Sequence, residues 1–142
     1  MATGASADRR DTELLRDNGW TLVDPLTVAG NPDAFRRYVQ GSRCEFSPAQ
    51  GIYVETGSGW FSDRTTRYLA SGRPAVIQDT ELTAGIPVGE GLLTFRTVPQ
   101  AAAAVDAVLR DYARHARAAR QIAEACFDSD LVLGRVLEEL LA

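Results

Sequence analysis

The run "SDRTTRYLASGRPAVIQDT", residues 62–80, restricts the possible fold more than any other stretch of this chain. Ser62 or Asp63 can cap a helix that runs to Ser71, and Gly72 stands at its C-terminal stop. Arg73-Pro74 then turns the chain into "PAVIQD" (74–79), which lacks the apolar–polar alternation of a strand wetted on one side. A strand with no polar face has to be covered on both, which requires helices above and below a parallel sheet.

The rest of the chain follows the same alternation. "WTLVD" (20–24), "RCEFSP" (43–48) and "LLTF" (92–95) read as further strands, the first two ended by Pro25 and Pro48. "DTELLRDNG" reads as a short helix capped by Asp11 or Thr12 and stopped at Gly19. "NPDAFRRYVQGS" has Asn31 as its cap, Pro32 at the first helical position and Gly41 at its end. From Pro99 to about Phe127 the chain is Ala- and Arg-rich and helical, with a break expected near Arg110–Tyr112. Asp128 or Ser129 caps a final helix. The expectation is an α/β fold: an open parallel sheet of about four strands, helices on both faces and a helical C-terminal tail. Residues 11–142 form one domain, residues 1–10 a disordered lead or tag, and residues 49–61 and 80–91 loops.

Length and composition support this reading. A chain of 142 residues that is 45% hydrophobic can build one core. A net charge of −4, from 19 acidic and 15 basic residues, lacks the basic footprint of a nucleic-acid binder or a polybasic membrane contact. Every basic residue is Arg, so Schiff-base chemistry on Lys is excluded. His115 is the only histidine; in an Arg-rich helical stretch it reads as a partly exposed surface residue. That argues against Ser-His-Asp or Cys-His catalysis and against zinc. Cys44 and Cys126 match no metal spacing and read as small buried hydrophobes in a reduced cytoplasm, with a disulfide between them as the lesser alternative. No secretory signal is read in "MATGASADRR", and no apolar run approaches the ~18 residues of a membrane span. No metal, no cofactor and no catalytic residue is assigned.

Ligands of open parallel sheets bind outside the carboxyl ends of the strands. "GSGWFSDRT" (57–65) leads straight into a helix N-terminus, where unbonded N–H groups and the helix dipole favour an anion such as phosphate. Arg64 in that first turn can add a charge-assisted contact, although the dipole there favours an acid. The same residues also fit a plain cap with Arg64 solvated, and taken alone they leave both readings open. "GSG" is neither a P-loop nor a dinucleotide fingerprint, and "GEG" (89–91) is equally unspecific. Arg110, Arg114, Arg117 and Arg120 form a stripe that reads as a solvated face paired with Asp111 and Glu124.

"GWFSDRTTRYLASGRPAVIQDT" resembles the C-terminal, donor-binding half of GT-B-type glycosyltransferases. "LASGRPAVIQDT" supplies Ala70, Gly72, Pro74, Val76 and Asp79 of an A-x-G-x-P-x-V segment followed by a strand ending in Asp. "GEGLLTF" is similar to the strand after the second donor loop, and "HARAARQIAEACFDSDLVLGRVLEEL" to the helical tail. The likeness runs from about residue 18 to 140. It implies a Rossmann-like domain that binds a nucleotide-diphosphate sugar, with the diphosphate at residues 59–65. The donor-binding residues it implies are Gly59, Ser62, Asp63, Arg64, Thr65, Arg67, Asp79, Thr80, Gly89 and Glu90, with loop 85–91 as the opposite wall. Arg67 stands where many members hold the ribose with Glu, and Glu81 where a small residue usually follows Asp-Thr.

The resemblance covers only the donor half. It implies that the chain alone does not transfer sugar and that an N-terminal acceptor domain or partner chain completes the enzyme. The alternative is a standalone, non-catalytic binding or protein-interaction module descended from that fold. Val132, Val136, Leu137, Leu140 and Leu141 form an apolar stripe on the last helix, from which a homodimer is expected.

Overall fold

The structure is a computed structural model that describes residues 4–82 and 85–141. Residues 1–3 of the expected lead and residues 83–84 of the expected loop 80–91 lie outside the described residues. The chain divides into two units, Met1–Tyr38 and Val39–Ala142.

The first unit is helical. α1 (Gly4–Asp17) begins inside the segment expected to be a lead, because nothing between residues 5 and 17 breaks a helix. It ends as expected at Gly19, where φ is +81° and the Trp20 N–H reaches back to the Leu15 carbonyl at 3.0 Å. The strand expected at 20–24 does not form. Asp24 instead caps α2 (Pro25–Ala29): its Oδ1 accepts the Leu26 N–H and its Oδ2 the Thr27 hydroxyl. The Asp-Pro pair that looked like a strand end is a helix start, with Pro at the first helical position. Strand propensity is realised only by pairing, and this segment joins no ladder. α3 (Pro32–Gly41) starts where expected, with Asn31 Oδ1 accepting the Ala34 N–H at 2.8 Å.

The second unit is an open, parallel, three-stranded sheet, one strand fewer than expected. Its order is β1 (Glu45–Ser47), β2 (Ala75–Gln78), β3 (Leu92–Phe95). Phe46 pairs with Val76, and Val76 with Leu93. Alternation along the strands sends Glu45, Ser47, Ala75, Ile77 and Leu92 to one face, and Phe46, Val76, Leu93 and Phe95 to the other.

Helices cover both faces. α5 (Asp63–Ala70) and α7 (Tyr112–Cys126) pack Leu69, Ala119, Ile122 and Ala123 onto Ala75, Ile77 and Leu92. α6 (Val98–Arg110) packs Ala101, Ala104 and Val108 onto Val76 and Phe95. Ala75 and Val76 are 0% exposed, which is why "PAVI" carries no polar residue. Burying Leu69, Leu92 and Val76 each contributes about 1.5–3 kcal/mol.

Local signals set the helix ends. Ser62 caps α5, Thr97 and Gln100 close a capping box at α6, and Asp111 breaks the chain between α6 and α7 where a break was expected. The expected loop 49–61 contains a short helix, α4 (Gly51–Glu55). α8 (Ser129–Leu141) is capped by Asp128, whose Oδ1 accepts the Asp130 N–H, and none of its described residues is buried. Cys44 and Cys126 are part-buried free thiols; burial pushes the Cys44 thiol up against the pull of Arg43. Among the described residues, no helix is long and apolar enough to cross a membrane.

Candidate functional site

α5 runs antiparallel to the strands, so its N-terminus opens at the carboxyl edge of the sheet, above the ends of β1 and β2. The approach is a tight loop. Gly57 and Gly59 take φ of +55° and +68°, which a side chain would resist. The Gly59 N–H donates to the Thr80 carbonyl at 2.7 Å, and the Thr80 hydroxyl donates to the Trp60 carbonyl at 2.8 Å. Thr80 is 1% exposed and laces the loop before α5 to the turn after β2. Tyr53 stacks on Trp60 at 4.8 Å and braces the loop from α4.

The first turn of α5 is largely self-satisfied. Ser62 Oγ accepts the Arg64 N–H at 3.2 Å, and the Ser62 carbonyl accepts the Thr65 N–H. Asp63 pairs with Arg67 at 2.9 Å across one helical turn. The Arg64 side chain, however, leaves its own helix. Its Nε donates to Glu45 Oε1 at 2.6 Å, and its Nη2 to Ser47 Oγ at 2.7 Å, both on β1. Glu45 is 4% exposed, so this carboxylate supplies the counter-charge for a cation that the helix dipole disfavours. Glu45 Oε2 and Thr65 Oγ1 are buried without a hydrogen-bond partner.

The turn after β2 is built the same way. Asp79 Oδ1 accepts the Glu81 N–H, and its Oδ2 accepts the Arg96 Nε–H at 2.8 Å. Partial burial raises the Asp79 carboxyl, but the Arg96 bond, the backbone N–H groups and the Arg96 charge together outweigh it and hold it below its ordinary value. Glu81 sits at φ +65°, a left-handed conformation better suited to glycine, and its carboxylate lies against Gly57.

Of the ten expected donor-binding residues, the structure gathers Gly59, Ser62, Asp63, Arg64, Thr65, Asp79 and Thr80 at the carboxyl edge, with Arg67 one turn along α5. Gly89 and Glu90 are not among them. They precede Leu92, the first residue of β3, which pairs with Ala75, the first residue of β2. The length of a four-residue strand, roughly 13 Å, therefore separates them from Asp79 and Thr80. Of the expected opposite wall, residues 85–91, the run "GEG" (89–91) is a turn at the amino edge. The Gly91 carbonyl accepts the Ala75 N–H at 2.8 Å, and the Gly91 N–H donates to His115 Nδ1 at 3.2 Å. Glu90 pairs with Arg114, whose hydrogen bond holds its carboxyl below the ordinary range.

His115 corrects a second expectation. It is 7% exposed, not a surface residue, and serves as an internal acceptor. Arg120 pairs with Glu124 as expected, at 2.7 Å. Glu45, Ser47 and Arg96 contact the expected residues Arg64 and Asp79 and were not themselves expected. Glu45 and Ser47 carried a signal: two polar residues two apart in a strand share a face, and here that face is the inner one.

No family model matches this chain, and no curated protein or solved structure matches it either.

Proposed function

We propose that this chain is a nucleotide-diphosphate-sugar-binding module of the kind that forms the donor half of GT-B glycosyltransferases. The observation that carries the reading is the α5 N-terminus at the carboxyl edge of a parallel sheet, beside the Thr80 turn. The diphosphate binds along Gly59–Thr65, with Arg64 and Thr80 alongside. The three Arg–acid pairs of this edge, Arg64–Glu45, Arg67–Asp63 and Arg96–Asp79, leave it with little net positive charge. Directed hydrogen bonds therefore contribute more to recognition than long-range attraction does, and the Gly59, Arg64 and Thr65 N–H groups take part only by exchanging the acceptors they already have. The Rossmann-like sheet, the cytoplasmic setting and the dependence on an acceptor domain or partner chain belong to the same proposal. So does the absence of sugar transfer by the chain alone.

Calorimetric titration with UDP, GDP and TDP tests it. One of them binds, and Arg64→Ala weakens that binding by about 1.5–3 kcal/mol, as for a hydrogen bond to a charged group. Absence of binding by all three, or an Arg64→Ala chain that binds as well as the parent, sinks the donor-site reading.

A second reading, a standalone binding or protein-interaction module of that descent, is favoured by α8. Leu133, Leu137 and Leu140 there are 59%, 57% and 76% exposed. On this reading a second copy covers the helix. Light scattering then finds a dimer that Leu137→Arg converts to monomer, and a monomeric parent at high micromolar concentration rules the dimer out.

A further inference from the structure

We infer that Glu45 and Ser47, on the edge strand β1, are positioning residues that aim the Arg64 guanidinium at the ligand crevice. The inference rests on the nucleoside-diphosphate reading of that crevice and adds two residues to it.

Arg64 carries five N–H donors in one rigid plane. Its side-on edge, the Nε–H and one N–H of Nη2, faces β1 and is held by Glu45 Oε1 and Ser47 Oγ. Both acceptors are buried, because residues 45 and 47 share the sheet face that α5 covers. The Arg64 side chain is 43% exposed. Its end edge, Nη1 and the second N–H of Nη2, makes no hydrogen bond among the described residues and is left for solvent or a ligand.

The pairing is not the tightest one available to these groups. A fork-to-fork pair would use both carboxylate oxygens. Here the second anchor goes to the neutral Ser47 hydroxyl, while Glu45 Oε2 stays buried without a partner. That arrangement sacrifices stability. What it achieves is orientation: two anchors on different residues fix the plane of the guanidinium, whereas a pair to one carboxylate can swing as a unit. Glu45 also cancels the charge of Arg64, so the arginine contributes direction rather than attraction. An in-plane pair of phosphate oxygens is the ligand chemistry that a fixed guanidinium edge recognises.

The experiment is calorimetry on the full chain with whichever of UDP, GDP and TDP binds. Ser47→Ala keeps every charge and loses roughly tenfold in affinity, the net contribution of one ordinary hydrogen bond. Ser47→Thr keeps the hydroxyl and restores binding. Arg64→Lys keeps the charge but cannot hold both anchors, and it binds as weakly as Arg64→Ala. In a ¹⁵N spectrum of the unliganded chain, the Arg64 Nε–H of the parent is protected from exchange, and Glu45→Ala, which removes the acceptor oxygen, removes that protection. If Arg64→Ala weakens binding while Ser47→Ala binds like the parent, the positioning role is overturned and the site survives. Tighter binding by Glu45→Gln makes Glu45 a competitor of the ligand and also overturns the role. A parent that binds none of the three nucleotides removes the site and the positioning role together.

Discussion

At the carboxyl edge of the sheet, Gly57-Ser58-Gly59 leads into α5; at the amino edge, Gly89-Glu90-Gly91 leads into β3. As sequence, the two runs look alike. Gly91 lies against the backbone of α7, where an added Cβ would sit 2.7 Å from the Ala118 carbonyl carbon and closer still to the Ala119 nitrogen. A Cβ added at Gly57 would meet first the side chain of Glu81, its carboxylate nearest, which is flexible and can move aside. The amino edge is thus held by close backbone packing and a buried histidine, which cannot be rearranged cheaply. The carboxyl edge is held by the buried Thr80 bonds and by side-chain pairs, and the pairs can exchange a partner for a ligand. A glycine-containing run next to a charged residue is no evidence of a binding loop until the edge it occupies is known.

The largest expected effect is the glycine contrast itself. Gly91→Ala forces α7 off the sheet and costs about 3 kcal/mol or more, while Gly57→Ala costs about 1 kcal/mol, for its positive φ alone. Equal losses in urea unfolding would erase the distinction between the edges. Next comes the histidine: His115→Phe leaves the Gly91 N–H buried and unpaired, for a loss of about 1–3 kcal/mol. An unchanged unfolding midpoint would show that the amino edge does not depend on that acceptor.

The smallest effect lies at the carboxyl edge and sharpens the comparison through pH. The folded Asp79 carboxyl sits below its ordinary value, so as pH falls the unfolded chain takes up the proton first. The stability contributed by the Arg96 pair is fully present above about pH 4, the ordinary carboxyl value, and is lost as pH falls through the folded one. Because Arg96 is 63% exposed, the contribution stays below about 1 kcal/mol. Arg96→Gln removes it, so parent and variant converge in acid. A stability gap that widens on acidification would contradict the assignment.

Much of the fold was legible because it is written locally. The Ser62 cap, the Gly72 stop, the break at Asp111 and the Asp128 cap each depend on residues within one helical turn. The unbroken apolar run at 75–77 was enough to require cover on both faces. The exposed apolar stripe of α8 was likewise visible in its spacing.

What only the tertiary structure decided depends on partners distant in the chain. Residues 20–24 have the composition of a strand, but a strand exists only against a neighbour's free N–H and C=O groups, and here Asp24 serves a helix instead. The counter-charge of Arg64 lies 19 residues away, and the Gly91 partner of His115 lies 24 residues away. Neither separation matches a helical or strand period, so no pattern in the sequence links the pairs. Sequence offered the helix N-terminus as a candidate place for an anion; it took the packing of α5 on β1 to show that its arginine is already held by Glu45 and Ser47.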